Sequence, residues 1–363
     1  MPFDRAKTAA ARADQTTVRH ANLGVVVRHL AEQGPRSRAR VADETGLTRA
    51  TVSSLVGELI ELDLVREAGE EKGSGRVGRP SVTLELHERV VAIGLEVNVD
   101  YLAYSVEGLT GTVWQERRVF VDNRGSDPGP VLDRLARIAG EAFAYIEQEG
   151  LVPVGIGLAV PGIVADASGM LLRAPNLGWQ DLSVADELRE RLGDLPIRVE
   201  NEANAAAVAE HWQGAATSVR SFLSVFGEVG VGAGIFIDGE LFRGAHGFGG
   251  EFGHLNVERE GLPCACGSSG CLETLVGQEA IARTAGVTIG SRAQSVTAEL
   301  VRGAQAGDAA VVAALRQAGE TLGVALASAV NLFDVEAIVL GGCYGPLSPW
   351  LEGGVREMLR TRV

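Results

Sequence analysis

A mainly helical N-terminal unit of helix-turn-helix type, followed by an α/β domain of two similar lobes, is the fold class that the sequence predicts. Three observations predict it. The segment SRARVADETGLTRATVSSLV (37–56) spaces its apolar residues as two short helices around a tight turn. From residue 90 the texture changes to apolar runs broken by Gly-rich turns, as in VVAIGLEVNVDYLAYSVEGLTGTVWQERRVFV, which reads as consecutive antiparallel strands. A second strand, Gly-rich turn, strand run near 221–241 echoes the first near 91–120, and helices alternate with strands between and after them.

In the helix pair, Ser37 and Thr48 are N-cap residue types, Gly46 supplies the turn, and Ala42, Val52 and Leu55 let the helices cross closely. Upstream, VRHANLGVVVRHLAEQG places Leu23, Val26, Val27 and Leu30 on one side of a covering helix. Downstream, LVREAGEEKGSGRVGRPSVTLEL reads as a strand, a Gly-rich hairpin and a second strand, a wing. Such a unit reads double-stranded DNA. Thr48, Arg49, Thr51, Ser53 and Ser54 open the second helix, where base edges and phosphates are met. Arg36, Arg38 and Arg40 add charge beside the first helix, and Lys72, Arg76 and Arg79 decorate the wing. The expected organisation is a flexible segment 1–17, a winged unit 18–88 and an α/β domain 89–363.

Residues 1–88 hold 13 Lys/Arg and 13 Asp/Glu, so the formal charge of −14 falls on the remainder. That balance excludes indiscriminate nucleic-acid binding. No stretch reads as a membrane span and the first thirty residues carry no apolar signal core, so the expected location is the cytoplasm, without a membrane partner. Three of the four cysteines fall within eight residues, in CACGSSGCLE (264–273), ten residues after His254. A secreted disulfide framework spreads its cysteines, whereas Cys264, Cys266, Cys271 and His254 make the tetrahedral set of three sulfurs and one nitrogen that zinc prefers. Four protein ligands leave no open position, so the expected zinc is structural, one per chain.

The ordered set PGIV, APNLGW, VENEANAAA, GVGAGIFIDGELFRGAHGFGGEFGH and CACGSSGCLE resembles the ROK family of sugar kinases and sugar-responsive repressors, from about residue 18 to about 350. The winged helix resembles the family's regulator branch, of the xylose-repressor and N-acetylglucosamine-repressor type. The resemblance implies an actin-like, ribonuclease-H-like pair of lobes with sugar between them. By motif match, Asn176, Asn201, Glu202, Glu251, His254 and Glu273 would line the sugar site. It also implies zinc at the cysteine loop, and a homodimer or homotetramer on a palindromic operator.

The chain departs from the kinase pattern. Where kinases run Asp, apolar, Gly, Gly, Thr, Lys, this chain has Glu96, Val97, Asn98, Val99, Asp100 and Tyr101. Glu228 and Val229 stand where Gly-Thr is usual, and Glu202 stands at the position of the catalytic aspartate. Phosphate binding needs close backbone amides and positive or neutral surroundings, so Asp100 and Glu228 are expected to repel it. The expected function is a non-catalytic, sugar-responsive repressor. A sugar kinase with an accessory DNA-binding domain is the alternative; a zinc-dependent oxidoreductase would need an open metal site and a nicotinamide glycine fingerprint, and the sequence shows neither. Family regulators continue several dozen residues past GGCYGPLSPWL, so the second lobe is expected to be incomplete. Cys343 is expected to be a buried small residue.

Overall fold

The computed structural model describes residues 15–70, 82–165, 168–288 and 293–363. The chain forms two compact units, one of residues 1–91 with 108–112, the other of 92–107 with 113–363.

In the first unit, α1 (Gln15–Gln33), α2 (Arg38–Thr45) and α3 (Arg49–Glu61) pack beside a small sheet of β1 (Arg36–Ser37), β2 (Val65–Glu70) and β3 (Val82–Leu86), ordered β1-β3-β2. Val26 and Leu30 of α1, Val41 and Ala42 of α2, and Val52, Leu55, Val56 and Leu59 of α3 form its core, with Leu23 and Val27 packed at the edge. Gly46 ends α2 in the left-handed conformation (φ 74°), and Thr48 Oγ1 accepts the Thr51 amide at 3.1 Å, capping α3. Ser37 does not act as a cap. Its side chain makes no capping bond, and the residue is instead buried in β1, paired with Thr83. Residues 15–17, expected in a flexible segment, form the first turn of α1.

In the second unit, lobe 1 is built on β4 (Val90–Val97), β5 (Tyr101–Gly108), β6 (Val113–Phe120), α4 (Pro128–Glu149) and β7 (Val152–Val160). A small sheet of β8 (Ile163–Val164), β9 (Leu171–Ala174) and β10 (Trp179–Leu182) follows, then α5 (Val184–Leu192) and β11 (Ile197–Asn201). The five-stranded sheet has the order β11-β7-β4-β5-β6, antiparallel from β5 to β6 and parallel from β7 to β11. Burial alternates along β4: Val91, Ile93, Leu95 and Val97 are buried, while Ala92, Gly94 and Glu96 are half-buried. On α4, Leu132, Leu135, Ile138, Ala139, Ala142 and Ile146 make a buried stripe at helical spacing.

Lobe 2 contains α6 (Glu202–Trp212), β12 (Phe222–Gly227), β13 (Val231–Ile237), β14 (Glu240–Leu241), a 3-10 turn (Phe252–His254), α7 (Glu273–Val276) and α8 (Gln278–Thr284). It continues with α9 (Ala293–Gln305), α10 (Ala309–Phe333), β15 (Ala337–Gly342) and α11 (Tyr344–Arg362). Its sheet runs β14-β13-β12-β15, with β13 antiparallel and β15 parallel to β12. Both lobes therefore begin with an antiparallel three-strand run, the echo seen in the sequence. The motifs VENEANAAA and GVGAG belong together for a steric reason: a Cβ at Gly232 or Gly234 would meet the methyls of Ala203 and Ala207 at 2.6 and 2.4 Å. Small residues on both sides let α6 lie directly on β13.

The expectation that no stretch is apolar enough to span a membrane is corrected by α10. Its 25 residues contain an 18-residue window of mean hydropathy 1.2. Half of that window is buried, and Ala314, Leu315, Leu322 and Leu326 lie in the core of lobe 2, so this helix owes its apolar character to packing.

Replacing Thr48 by Ala removes the α3 cap and is expected to cost about 1 kcal/mol. A chemical unfolding midpoint for the winged unit that does not fall would contradict the cap.

Candidate functional site

A cavity of about 110 Å3 in the second unit is lined by Asn176, Asn201, Glu202, Glu251, His254 and Glu273 together, along with Arg173, Cys266 and several glycines. They reach it from four parts of the chain. Asn201 ends β11 and caps α6: its Oδ1 accepts the amides of Ala203 (2.9 Å) and Asn204 (3.1 Å), and its Nδ2 donates to the Gly162 carbonyl (2.8 Å). One amide hydrogen remains for a ligand. Glu202 is the first residue of α6. Its neighbour Glu200 turns away, accepting from Asn204 Nδ2 (3.1 Å) and pairing with Arg243. Glu251 and His254 arrive on the 3-10 turn, which packs on β13 so tightly that a Cβ at Gly253 would lie 2.0 Å from the Val231 carbonyl. Glu273 opens α7, and its Oε2 accepts the Val231 amide at 3.2 Å. Burial pushes the Glu251 carboxyl up, offset in part by His254.

The cysteine loop closes beside this cavity. The ligand atoms of His254, Cys264, Cys266 and Cys271 all lie within 4.8 Å of one another. Cys266 and Cys271 sulfurs are 3.7 Å apart, as are Cys264 Sγ and His254 Nδ1. A tetrahedral ion with metal–sulfur bonds near 2.3 Å sets its sulfurs about 3.8 Å apart, so the four residues fit such an ion. Burial pushes the Cys264 and Cys271 thiols up, while at Cys266 the Ser268 backbone and the neighbouring thiols outweigh burial and bring the thiol down; a dication would favour the thiolate form of all three. The loop is held by Cys264 N–H to the Ser268 carbonyl (2.8 Å) and Asn256 Nδ2 to the Ser269 carbonyl (2.7 Å). With Nδ1 toward the thiols, His254 Nε2 lies 3.8 Å from Glu251 on the cavity wall. Glu273 Oε1 is 3.3 Å from Cys264 Sγ, joining the same knot to the cavity.

Between the lobes lies a cluster that sequence reasoning does not assemble. Asn98 Nδ2 donates toward Glu228 (2.9 Å), Glu96 (3.3 Å) and Glu202 (3.4 Å), and Tyr101 Oη donates to Glu96 (2.7 Å) and is 3.3 Å from Glu228. Burial and the neighbouring carboxylates raise Glu202, and push Glu228 up to about 7. The expectation that Asp100 stands with Glu228 to repel a phosphate is corrected for Asp100. It is buried and turned away, paired with Arg124 at 2.7 Å, and Arg124 in turn reaches Glu279 of α8 at 3.0 Å. The signal for the cluster is the run EVNVDY, in which Glu96, Asn98 and Asp100 alternate with valines. Cys343 is buried, as expected.

In the winged unit, Thr48, Arg49, Ser53 and Ser54 are exposed along the start of α3 and Thr51 is half-buried, its hydroxyl 2.8 Å from that of Thr48. Arg19 of α1 donates to Ser54 Oγ (3.3 Å) and to Glu58 (2.8 Å). Arg38 pairs with Glu67 of β2 at 2.8 Å. The extra charge expected from Arg36 and Arg40 is largely answered, because both bond to Glu44, which also meets His29 at 2.7 Å. Lys72, Arg76 and Arg79 lie outside the described residues.

A helix-turn-helix unit ahead of a two-lobed α/β domain with a knot of three thiols and an imidazole defines a class of protein, the DNA-binding transcriptional regulators. The sequence pattern of the ROK family matches residues 92–363, and that of the IclR helix-turn-helix domain matches residues 23–69. The chain belongs to the ROK family. It is 30% identical over 353 residues to the xylose repressor of Bacillus spizizenii, covering 97% of this chain and 89% of that one. The crystal structure of a ROK family transcriptional regulator, a homologue of the E. coli MLC protein, matches with a TM-score of 0.79 and 27% identity over 95% of this chain and 88% of that one. A ROK family glucokinase from Streptomyces griseus, solved with glucose and AMPPNP, matches with a TM-score of 0.64 and 26% identity over 74% of this chain and 89% of that one.

Native mass spectrometry is expected to find one dication per chain, and cobalt(II) substitution the visible bands of tetrahedral thiolate coordination. Cys271→Ala should abolish both. Full metal content in that variant would remove Cys271 from the ligand set.

Proposed function

We propose that the protein is a sugar-responsive transcriptional repressor, acting in the cytoplasm as a dimer, in which a non-catalytic ROK cleft holds the effector. The observation that carries this reading is the convergence of Asn176, Asn201, Glu202, Glu251, His254 and Glu273 on one cavity, in a chain that also bears a helix-turn-helix. A monosaccharide needs donors and acceptors fixed in a fan around a rigid pocket, and these carboxylates, amides and imidazole supply both. The relative named a xylose repressor supports a sugar as the effector class.

The knot is assigned to structural zinc held by His254, Cys264, Cys266 and Cys271. A bound ion would neutralise the thiolates and hold the His254 ring, and the four residues would supply a full tetrahedral ligand set. His254 Nε2 and the carboxylates of Glu251 and Glu273 then orient the hydroxyls.

Kinase chemistry is disfavoured by the cluster between the lobes. A nucleotide's phosphates would meet Glu96, Glu202 and Glu228, and the cations near them among the described residues are Arg118, 4.2 Å from the Tyr101 ring, and the exposed Arg302. On the DNA side, Thr48, Arg49, Thr51, Ser53 and Ser54 meet base edges and phosphates in the major groove, Arg38 the backbone, and Arg76 and Arg79 the flanking groove.

A mobility shift with genomic fragments is expected to give a complex weakened by salt and by the effector. Absence of any specific fragment at low salt would overturn the reading. Glu251→Gln is expected to weaken sugar binding by about 1–3 kcal/mol in calorimetry while leaving DNA affinity unchanged. Sugar-dependent ATP consumption that disappears in Glu202→Gln would instead establish a kinase.

A further inference from the structure

We propose that Asn98 and Tyr101 of lobe 1 and Glu228 of lobe 2 form a proton-dependent clasp that holds the lobes together and relays occupancy at Glu202 to their separation. The relay rests on the reading of Glu202 as a sugar contact; the clasp does not.

The hydrogen-bond count carries the argument. Asn98 Nδ2 has two hydrogens and three carboxylates within 3.4 Å, and Tyr101 Oη has one hydrogen and two carboxylates within 3.3 Å. Three hydrogens therefore serve Glu96, Glu202 and Glu228, whose six oxygens, if all ionised, carry three negative charges. The groups around them do not balance this. β4 offers Glu96, β5 Tyr101, α6 Glu202, the β12–β13 turn Glu228, and α7 Glu273, which is itself engaged by Val231. From β6, Arg118 lies over the Tyr101 ring. From β15 and α11 come the buried Cys343 thiol and Tyr344, whose hydroxyl donates to Val276. On α9, Arg302 is exposed and held near Glu299, and α8 presents neutral Gln278. Asp100, in the same turn, is compensated by Arg124. A bound proton is what allows the carboxylates to meet across the cleft, because it removes one charge and adds one donor.

The placement makes this a link between the lobes. Asn98 and Tyr101 lie at the turn from β4 to β5, Glu228 at the turn from β12 to β13, and Glu202 where β11 hands over to α6. Glu202 also lines the sugar cavity, so a sugar hydroxyl that donates to it releases Asn98 for Glu228. Occupancy then trades the longer Asn98–Glu202 bond (3.4 Å), itself between the lobes, for full engagement of the shorter Asn98–Glu228 bond (2.9 Å).

The direction with pH follows from linkage. Glu228 is raised in the clasped state from 4.5 to about 7, so that state binds the proton more tightly than an open one in which the carboxyl is solvated. Clasping is fully favoured below about 4.5, weakens as pH rises, and is weakest above about 7. Between pH 6 and 8 the closed-to-open ratio is expected to fall about tenfold from this residue alone.

The test uses the full chain with spin labels on genetically encoded ketone side chains at Val152 of lobe 1 and Leu332 of lobe 2, both exposed, which spares the cysteines. Without sugar, the distance distribution should lengthen from pH 6 to pH 8 in the wild type. It should stay short at both values in Glu228→Gln, and be longer at both in Asn98→Asp. Tyr101→Phe, which keeps the ring, should lengthen the distribution at pH 6. A wild-type distribution that does not change with pH, or a Glu228→Gln distribution that shifts as much as the wild type, overturns the clasp. The relay is read separately, with a monosaccharide that raises the melting temperature. It should shorten the wild-type distances and leave Asn98→Asp unmoved, and equal shortening in both overturns the relay. If no monosaccharide stabilises the protein, the sugar reading fails while the pH result still decides the clasp.

Discussion

The seating of α6 on β13 is the contact on which the second unit depends. Ala203 and Ala207 meet Gly232 and Gly234 with no room for another carbon, and this fixes the helix to the sheet of lobe 2. The start of α6 carries Asn201 and Glu202, the start of β13 follows Glu228, and the 3-10 turn bearing Glu251 and His254 packs against the same strand. One close helix–strand contact therefore sets the spacing of the cavity, the thiol knot and the carboxylate cluster together. A larger side chain at any of the four positions would move all three.

Electrostatics gives the cleft its character. Anionic side chains dominate both the cavity and the cluster, and each is tolerated through a specific device. Glu200 is answered by Arg243, Glu273 by a backbone amide, Asp100 by Arg124, and Glu228 by a tyrosine hydroxyl, an asparagine amide and a raised affinity for a proton. Such a lining suits a neutral, hydroxyl-rich ligand and opposes a polyphosphate.

Much of the structure is legible in the sequence where its cause is local. Thr48 and Gly46 mark the helix boundaries by backbone chemistry that depends on a few neighbours, and the cysteine spacing with His254 identifies the knot because a metal needs those donor types close together. The six cavity residues are found by motif match, since nothing in their spacing shows that the long stretch between Asn176 and Glu273 folds back to bring the two together. What the sequence hides depends on tertiary placement. The arginines around α2 look like a basic patch, although Glu44 sits one turn from Arg40 in the same helix, until the fold also brings Glu67 to Arg38. Asp100 looks free until Arg124, well beyond it in the chain, folds back on it, and α10 has a membrane-like composition because the core of lobe 2 buries it.

Arg124 has a consequence for the mechanics of the cleft. It ties the buried Asp100 of lobe 1 to the half-exposed Glu279 of lobe 2, so a chain of alternating charges crosses the rim. The outer link is open to solvent and counter-ions, and is worth little in free energy. The rim link is thus exposed to ionic strength, while the buried carboxylates at the floor of the cleft are shielded from it.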